Sequence, residues 1–156
     1  MHARATAFAN QARERYEFEP QIEEFPEGTK TAAAAAEAVG CDVGQIASSL
    51  VFDVDGSLVV SVTSGANRVD ERALAERFDA DAVEMAGPER IKTELGWSIG
   101  GVPPFCHDRS VPVLVDESLL EHDTVWAAAG TPEAVFPIDP ETLVTFADGE
   151  PASIAD

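Results

Sequence analysis

Apolar residues change period several times along the chain, and each change marks an element. Ala5, Phe8, Ala12 and Tyr16 recur at helical spacing, which predicts an amphipathic helix over residues 4–15. From Glu17 to Phe25 the pattern loosens to Phe18, Ile22 and Phe25 and predicts a strand, with Pro20 confining it to a sheet edge. Pro26-Glu27-Gly28 is a turn. Thr31 is placed to cap a helix over Ala32–Val39, and Gly40 to stop it. Asp42-Val43-Gly44-Gln45 has the spacing of a capping box and predicts a second short helix over Val43–Ser48. The period then falls to that of strands. Leu50–Val54 and Ser57–Thr63 flank Asp55-Gly56, the strongest short hairpin signal in the chain.

The second half repeats this mixture. Asp70 caps a helix, with Val69 set to staple onto Leu74 and Phe78. A short strand is expected near Ala82–Met85. Pro88 then opens a helix that runs to Leu95 and stops at Gly96. Strands are predicted at Val111–Val115, Thr124–Ala129 and Ala134–Ile138. Asp139-Pro140 starts a last helix with Leu143 and Phe146 facing inwards and Gly149 as its stop, and residues 152–154 are expected to return as a strand. No repeat or linker divides the 156 residues, so one domain over 1–156 is expected. Hairpins interleaved with helices, without strict βαβ alternation, argue for an α+β fold with a mixed or antiparallel sheet flanked by helices.

Composition narrows the setting. No apolar run approaches the roughly 18 residues of a membrane span, and Met1-His2-Ala3-Arg4 leads into a polar segment, so no membrane role is expected and the cytoplasm is the expected compartment. Cys41 and Cys106 form no CxxC pair, and Cys106-His107-Asp108 lack the ligand spacing of a zinc site; neither a disulfide framework nor a metal is expected. There are 29 acidic residues against 10 basic ones, a formal net charge of −19, and the only lysines are Lys30 and Lys92. The acids are spread along the chain, unlike a disordered acidic tail. Such a surface suits a salt-loaded cytoplasm, where screening relieves self-repulsion; an ordinary acidic protein is the competing reading.

Chemistry concentrates in Trp97-Ser98-Ile99-Gly100-Gly101-Val102-Pro103-Pro104-Phe105-Cys106-His107. Two glycines permit positive φ and close approach to the main chain, and two prolines then stiffen the loop. On local chemistry alone it is either a tight connection or a binding loop. A thiol beside His107 invites a nucleophile reading, but adjacent residues rarely face each other, and a packed, inert Cys106 is the better expectation. His2 and His122 read as solvent residues, Trp97 and Trp126 as core, and Asp116-Glu117 as a cap for Ser118–Leu120. No Ser/His/Asp arrangement, Walker loop or dinucleotide fingerprint is present.

Ile99-Gly100-Gly101-Val102-Pro103-Pro104 is similar to the glycine-proline loop of the YbaK/prolyl-tRNA synthetase-associated domain family. Other stretches resemble that family in the same order: Thr29–Ala33, Gly40–Ala47, Ser49–Phe52, Ser64–Asp70, Val115–Leu120 and Ala129–Pro132. The resemblance implies a barrel-like α+β domain that hydrolyses mischarged aminoacyl-tRNA, here free-standing and of a haloarchaeal type. It implies no cofactor, the tRNA acceptor end (aminoacyl-adenosine) as partner, an aminoacyl-tRNA synthetase as a second partner, and a monomer or homodimer. Carried over residue by residue, it assigns catalysis to the positions of Ser48 and Gly101, and substrate contacts to Lys30, Ser49, Arg68, Gly100, Pro104 and Gly130. A side chain at Gly101 is then expected to block substrate and spare the fold. Arg68 faces a phosphate or ribose in this reading, or else pairs with Asp70 or Glu71.

Two departures stand out. Ser48 occupies the place of a lysine that in the family supports attack on the ester, and a serine brings no charge to developing negative charge. Lys30 is the candidate replacement. Cys106 stands where the loop pattern continues with glycine. Two functions therefore compete: deacylation of a Cys-tRNA(Pro)- or Ala-tRNA(Pro)-like substrate, and a non-catalytic relative that binds aminoacyl-adenosine, a nucleotide or a synthetase.

Overall fold

The computed structural model of the chain describes residues 2–25 and 31–154. Its helices are α1 (Ala3–Tyr16), α2 (Ala32–Val39), α3 (Glu71–Arg77), α4 (Pro88–Leu95) and α5 (Pro140–Ala147). Its strands are β1 (Glu23–Glu24), β2 (Ile46–Val54), β3 (Ser57–Ser64), β4 (Val83–Met85), β5 (Val113–Asp116), β6 (Val125–Ala128), β7 (Ala134–Ile138) and β8 (Glu150–Ala152). All eight strands join one mixed sheet in the order β1-β7-β6-β2-β3-β5-β8, with β4 on β2 as a side branch. The β2–β3, β2–β4, β6–β7 and β1–β7 pairs are antiparallel, and β2–β6, β3–β5 and β5–β8 are parallel. The α+β class and mixed sheet read from the sequence are those of the molecule.

The β2–β3 hairpin is the spine. Asp55 (φ 50°) and Gly56 (φ 93°) supply the two positive φ values of a tight hairpin turn, and Asp53 accepts the Gly56 N–H at 2.7 Å. Arg90 on α4 reaches across to Asp53 at 2.6 Å and to Glu94, and so ties the turn to a helix. Alternation along the spine separates two cores. Ala47, Val51, Val60 and Val62 face a large core with Phe8, Leu95, Trp97 and Phe105, whereas Phe52, Val54 and Val59 face a smaller one with Leu74 and Ile154.

Four expectations shift. The capping box at Asp42 and Gln45 is present, but it closes only a single 3-10 turn over Val43–Gln45. Residues 46–48 join β2 instead, where Ala47 and Ser48 pair with Ser64 and Thr63; a helix there would leave the end of β3 unpaired. The strand expected over residues 17–25 pairs only at Glu23 and Glu24, and the turn at Pro26-Glu27-Gly28 lies outside the described residues. Asp148 (φ 50°), not Gly149, adopts the left-handed cap of α5. Gly149 is bare for another reason: a Cβ there would come within 2.9 Å of Val115. The last strand forms at Glu150–Ala152, earlier than expected, because it pairs with Leu114–Asp116 of β5.

Candidate functional site

The free edge of β2 is shared by two strands that never meet. β6 pairs with Ile46 and Ala47, and β4 pairs with Phe52, Asp53 and Val54. Between them the Val51 carbonyl accepts the Ala86 N–H at 2.9 Å. Strand alternation points the main-chain groups of Ser49 to that same edge, in the notch left open. A cleft of about 220 Å³ occupies this notch. Ser48, Ser49 and Leu50 line it from β2, Ala127 and Ala128 from β6, Met85 from β4, Ala32 and Ala35 from α2, and Ile99 and Gly100 from the glycine-proline loop. Successive residues of a strand face opposite ways, so Ser48 lies on the side of Leu50 and Ser49 on the side of the main core. The cleft wraps the strand edge.

The loop above it is half anchor and half tip. Residues 101–107 are buried, and Ser98, Ile99 and Gly100 are exposed. Trp97 is a core residue, as expected: its Nε1–H donates to the Cys106 carbonyl at 2.9 Å, and its ring packs edge-on against Phe8. Phe105 holds the other end among Phe8, Tyr16, Phe18, Phe136 and Phe146. The tip is a β-turn closed by the Gly101 N–H on the Ser98 carbonyl at 3.0 Å, with Gly100 at φ 86° in the position that favours glycine. Gly101 has a different reason to lack a side chain. A Cβ there would lie 2.6 Å from Thr131 Cα, so two loops pack backbone to backbone at this point. Its N–H is committed to the turn, and it does not line the cleft.

Other candidates fall on both sides of the cleft wall. Ser48, Ser49 and Gly100 line it, whereas Pro104 is buried in the loop anchor. Gly130 (φ 91°) is wedged against the Arg4 carbonyl and the Trp97 ring, each 2.7 Å from where a Cβ would sit. Arg68 is exposed, is not part of the lining, and has no ion pair among the described residues; Asp70, one of its expected partners, caps α3 instead. Lys30 lies outside the described residues, and its neighbour Thr31 lines the cleft.

Sequence reasoning missed Met85, 48% exposed in the cleft wall, named Ile99, 49% exposed there, only as part of the loop motif, and took Trp126 for core although it is half-buried in the lining. The run Ala127-Ala128 is the one local hint of space, since small residues leave room beside a strand edge.

The electrostatics are sparse. The described lining residues include no ionisable side chain. Cys106 is 1% exposed, and burial pushes its thiol up to about 11, which leaves it protonated and inert near neutral pH. It adopts φ 67°, the left-handed conformation that explains why glycine suits this position. Burial lowers the His107 pKa, and its Nε2 sits 2.8 Å from the Pro103 carbonyl, so the imidazole is a neutral loop brace. Neither belongs to the cleft. Among the described residues, no three His, Cys, Asp or Glu side chains are grouped so as to hold a metal ion, and no helix is long and apolar enough to cross a membrane.

Two motifs that the cleft does not use, Ser64–Asp70 and Val115–Leu120, converge on Asp116. Its carboxylate accepts the Ser64 N–H at 3.1 Å, the Asn67 side-chain amide at 2.9 Å and the Ser118 N–H at 3.0 Å. Ser64 Oγ–H in turn donates to the Gly44 carbonyl at 2.9 Å. These residues clamp the ends of β3 and β5 to the turn that leads into β2, and so fix the strand that carries Ser48 and Ser49.

Comparison with known proteins gives this architecture a context. The uncharacterized protein YwhH of Bacillus subtilis is 31% identical over 129 residues, 82% of each chain. A proline–tRNA ligase of Lysinibacillus sphaericus is 35% identical over 71 residues, 46% of this chain and 12% of the ligase, so the likeness there is to one part of a much larger protein. Among solved structures, a proposed trans-editing enzyme for prolyl tRNA synthetase superposes with a TM-score of 0.94 at 34% identity, covering 100% of this chain and 99% of the other. The hypothetical protein APE2540, at 21% identity and a TM-score of 0.85, shares the fold. The aminoacyl-tRNA editing domain matches residues 26–146, and it is to this family that the chain belongs.

Proposed function

We propose that the chain, as one unit over residues 1–156, acts in trans on mischarged tRNA of the Cys-tRNA(Pro) or Ala-tRNA(Pro) class and hydrolyses the aminoacyl ester in the cleft at the β2 edge. The observation that carries this reading is the notch itself, where Ser48, Ser49 and the Gly100 tip surround a space of about 220 Å³ in an editing-family chain. That volume lies below the range of drug-sized pockets and suits a small aminoacyl group with the ribose at its mouth. The small residues Ala32, Ala35, Ala127 and Ala128 leave that room. In this reading the exposed Gly100 main chain lies against the ester, Gly101 holds the tip in place through its contact with Thr131, and Ser48 contributes a hydroxyl where a cation would be stronger. The relatives among proline–tRNA ligases support a synthetase as the second partner.

A specific observation favours a second reading, a relative that binds aminoacyl-adenosine without turning it over. With Ser48 in place of lysine, the described lining offers no charge to stabilise the developing oxyanion.

Single-turnover deacylation of mischarged tRNA(Pro) separates the two. The wild type is expected to be slow, and Ser48→Lys to raise the rate by roughly 30- to 1000-fold, equivalent to about 2–4 kcal/mol. If Lys30 already supplies the charge, the wild type is fast, Lys30→Ala abolishes activity, and Ser48→Lys adds little. Binding of mischarged tRNA with no turnover by either wild type or Ser48→Lys would establish the non-catalytic reading.

A further inference from the structure

Two loops meet at the mouth of the cleft, and one residue of α1 touches both. The Arg4 guanidinium donates to the Gly96 carbonyl, an acceptor that the end of α4 leaves without a helical partner. Its Cζ lies 4.4 Å from the centroid of the Trp97 ring, a cation over an aromatic face. The Arg4 main chain serves the second loop. Its carbonyl oxygen sits 2.7 Å from where a Cβ on Gly130 would lie, so the backbones pack with no side chain between them. Trp97 closes the triangle, since its ring lies 2.7 Å from that same point. Further out the two loops touch directly, Gly101 against Thr131 and Gly100 against Pro132. Ile99 and Gly100, at the end of this stack, line the cleft.

We propose that Arg4 is a positioning residue for the cleft: it locks the glycine-proline loop to the Ala129–Pro132 loop and so sets where the Gly100 tip stands against the β2 edge. This rests on the editing reading above and goes beyond it, because Arg4 precedes residues 26–146, which carry the family's pattern, and does not line the cleft. The tip, Ser98 to Gly100, is exposed and takes its direction from the places where the loop enters and leaves the core. The rings around Phe105 fix the exit. Arg4 fixes the entry, and it does so from a firm base. Its neighbours Ala5 and Phe8 are fully buried, and its own N–H is capped by His2 Nδ1 at 3.0 Å. A guanidinium can hold a carbonyl and stack on a ring at once, whereas a compact ammonium serves one of them at a time.

The test compares Arg4→Ala and Arg4→Lys with Arg13→Ala, which breaks an ion pair with Glu19 elsewhere on α1. Amide hydrogen exchange is read for each, together with calorimetric binding of the non-hydrolysable alanyl amide of 3′-amino-3′-deoxyadenosine. In Arg4→Ala the Gly101 amide, which closes the tip, is expected to exchange about tenfold faster, while Val60 in the β2–β3 hairpin keeps its rate. Affinity for the amide is expected to fall about three- to thirtyfold. Arg4→Lys should recover part of both losses, and Arg13→Ala should show neither. Unchanged Gly101 exchange in Arg4→Ala overturns the inference. So does faster exchange at Gly101 and Val60 alike, or an equal loss in Arg13→Ala, because Arg4 then only stabilises the fold. Faster Gly101 exchange with unaltered affinity overturns it as well, since the place of the tip then does not govern the site. If the wild type binds no amide, the editing reading fails, and the exchange pattern by itself upholds or overturns the lock between the loops.

Discussion

Neighbouring residues of the glycine-proline loop lack side chains for different reasons, and their variants should fail differently. Gly100 needs its positive φ, so Gly100→Ala strains an exposed turn by about 1–2 kcal/mol and leaves the packing intact. Gly101 needs proximity. Gly101→Val drives methyl groups into the Thr131 backbone, where nothing flexible can give way, and is expected to cost at least the 1–3 kcal/mol typical of about one overpacked side chain. The expectation that such a variant would lose ligand and keep its fold is thereby revised: both should suffer. Thermal melts of the two variants check this. A Gly101→Val protein that melts with wild type would show that the two loops separate easily, and would return Gly101 to a role in ligand contact.

Among the elements, the Asp116 carboxylate joins β5 to the end of β3, and Ser64 Oγ carries the clamp on to the turn before β2. Burial pushes this carboxyl up, but the hydrogen bonds from Asn67, Ser118 and Ser64 outweigh it and hold the group below the ordinary aspartate value. A carboxylate depressed in the folded state contributes stability above its unfolded value of about 3.9 and loses it as pH falls through the lower native value. Asp116→Ala should therefore cost about 1–3 kcal/mol at neutral pH, since it strands buried N–H groups. The gap from wild type should narrow in acid, below about pH 3.9. Urea unfolding of both proteins at neutral and acid pH measures it, and a gap that stays constant into strong acid would place the carboxylate's contribution elsewhere.

For the whole molecule the dominant quantity is the net charge of −19. Self-repulsion at low ionic strength opposes the compact state, and the screening length falls from about 30 Å at 0.01 M salt to about 3 Å at 1 M. The melting temperature is expected to rise steadily from dilute buffer to molar potassium chloride. Association with tRNA should also gain from added salt, opposite to the usual loss as phosphate-bound counterions are released. A melting temperature that stays flat across the series would show an ordinary acidic protein in which self-repulsion takes little from the stability.

Residues 32–39, the β2–β3 hairpin and the helix opened by Pro88 were legible in the sequence because caps, turns and period are local properties, satisfied by residues a few places apart. The glycine-proline loop was legible for the same reason, as was the poor prospect of Cys106 as a nucleophile. What the sequence could not carry was the notch. It exists because β4 and β6, far apart in the chain, both pair with β2 and stop short of each other. No residue of β2 announces which of its main-chain groups will be left uncovered, and none of the glycines announces what its missing Cβ makes room for. Period and capping are written in short windows, so the sequence by itself determined the elements and the α+β class. Strand order and loop-to-loop contact depend on pairings across the fold, so only the tertiary structure placed Ser49 at an open edge and Gly101 against Thr131.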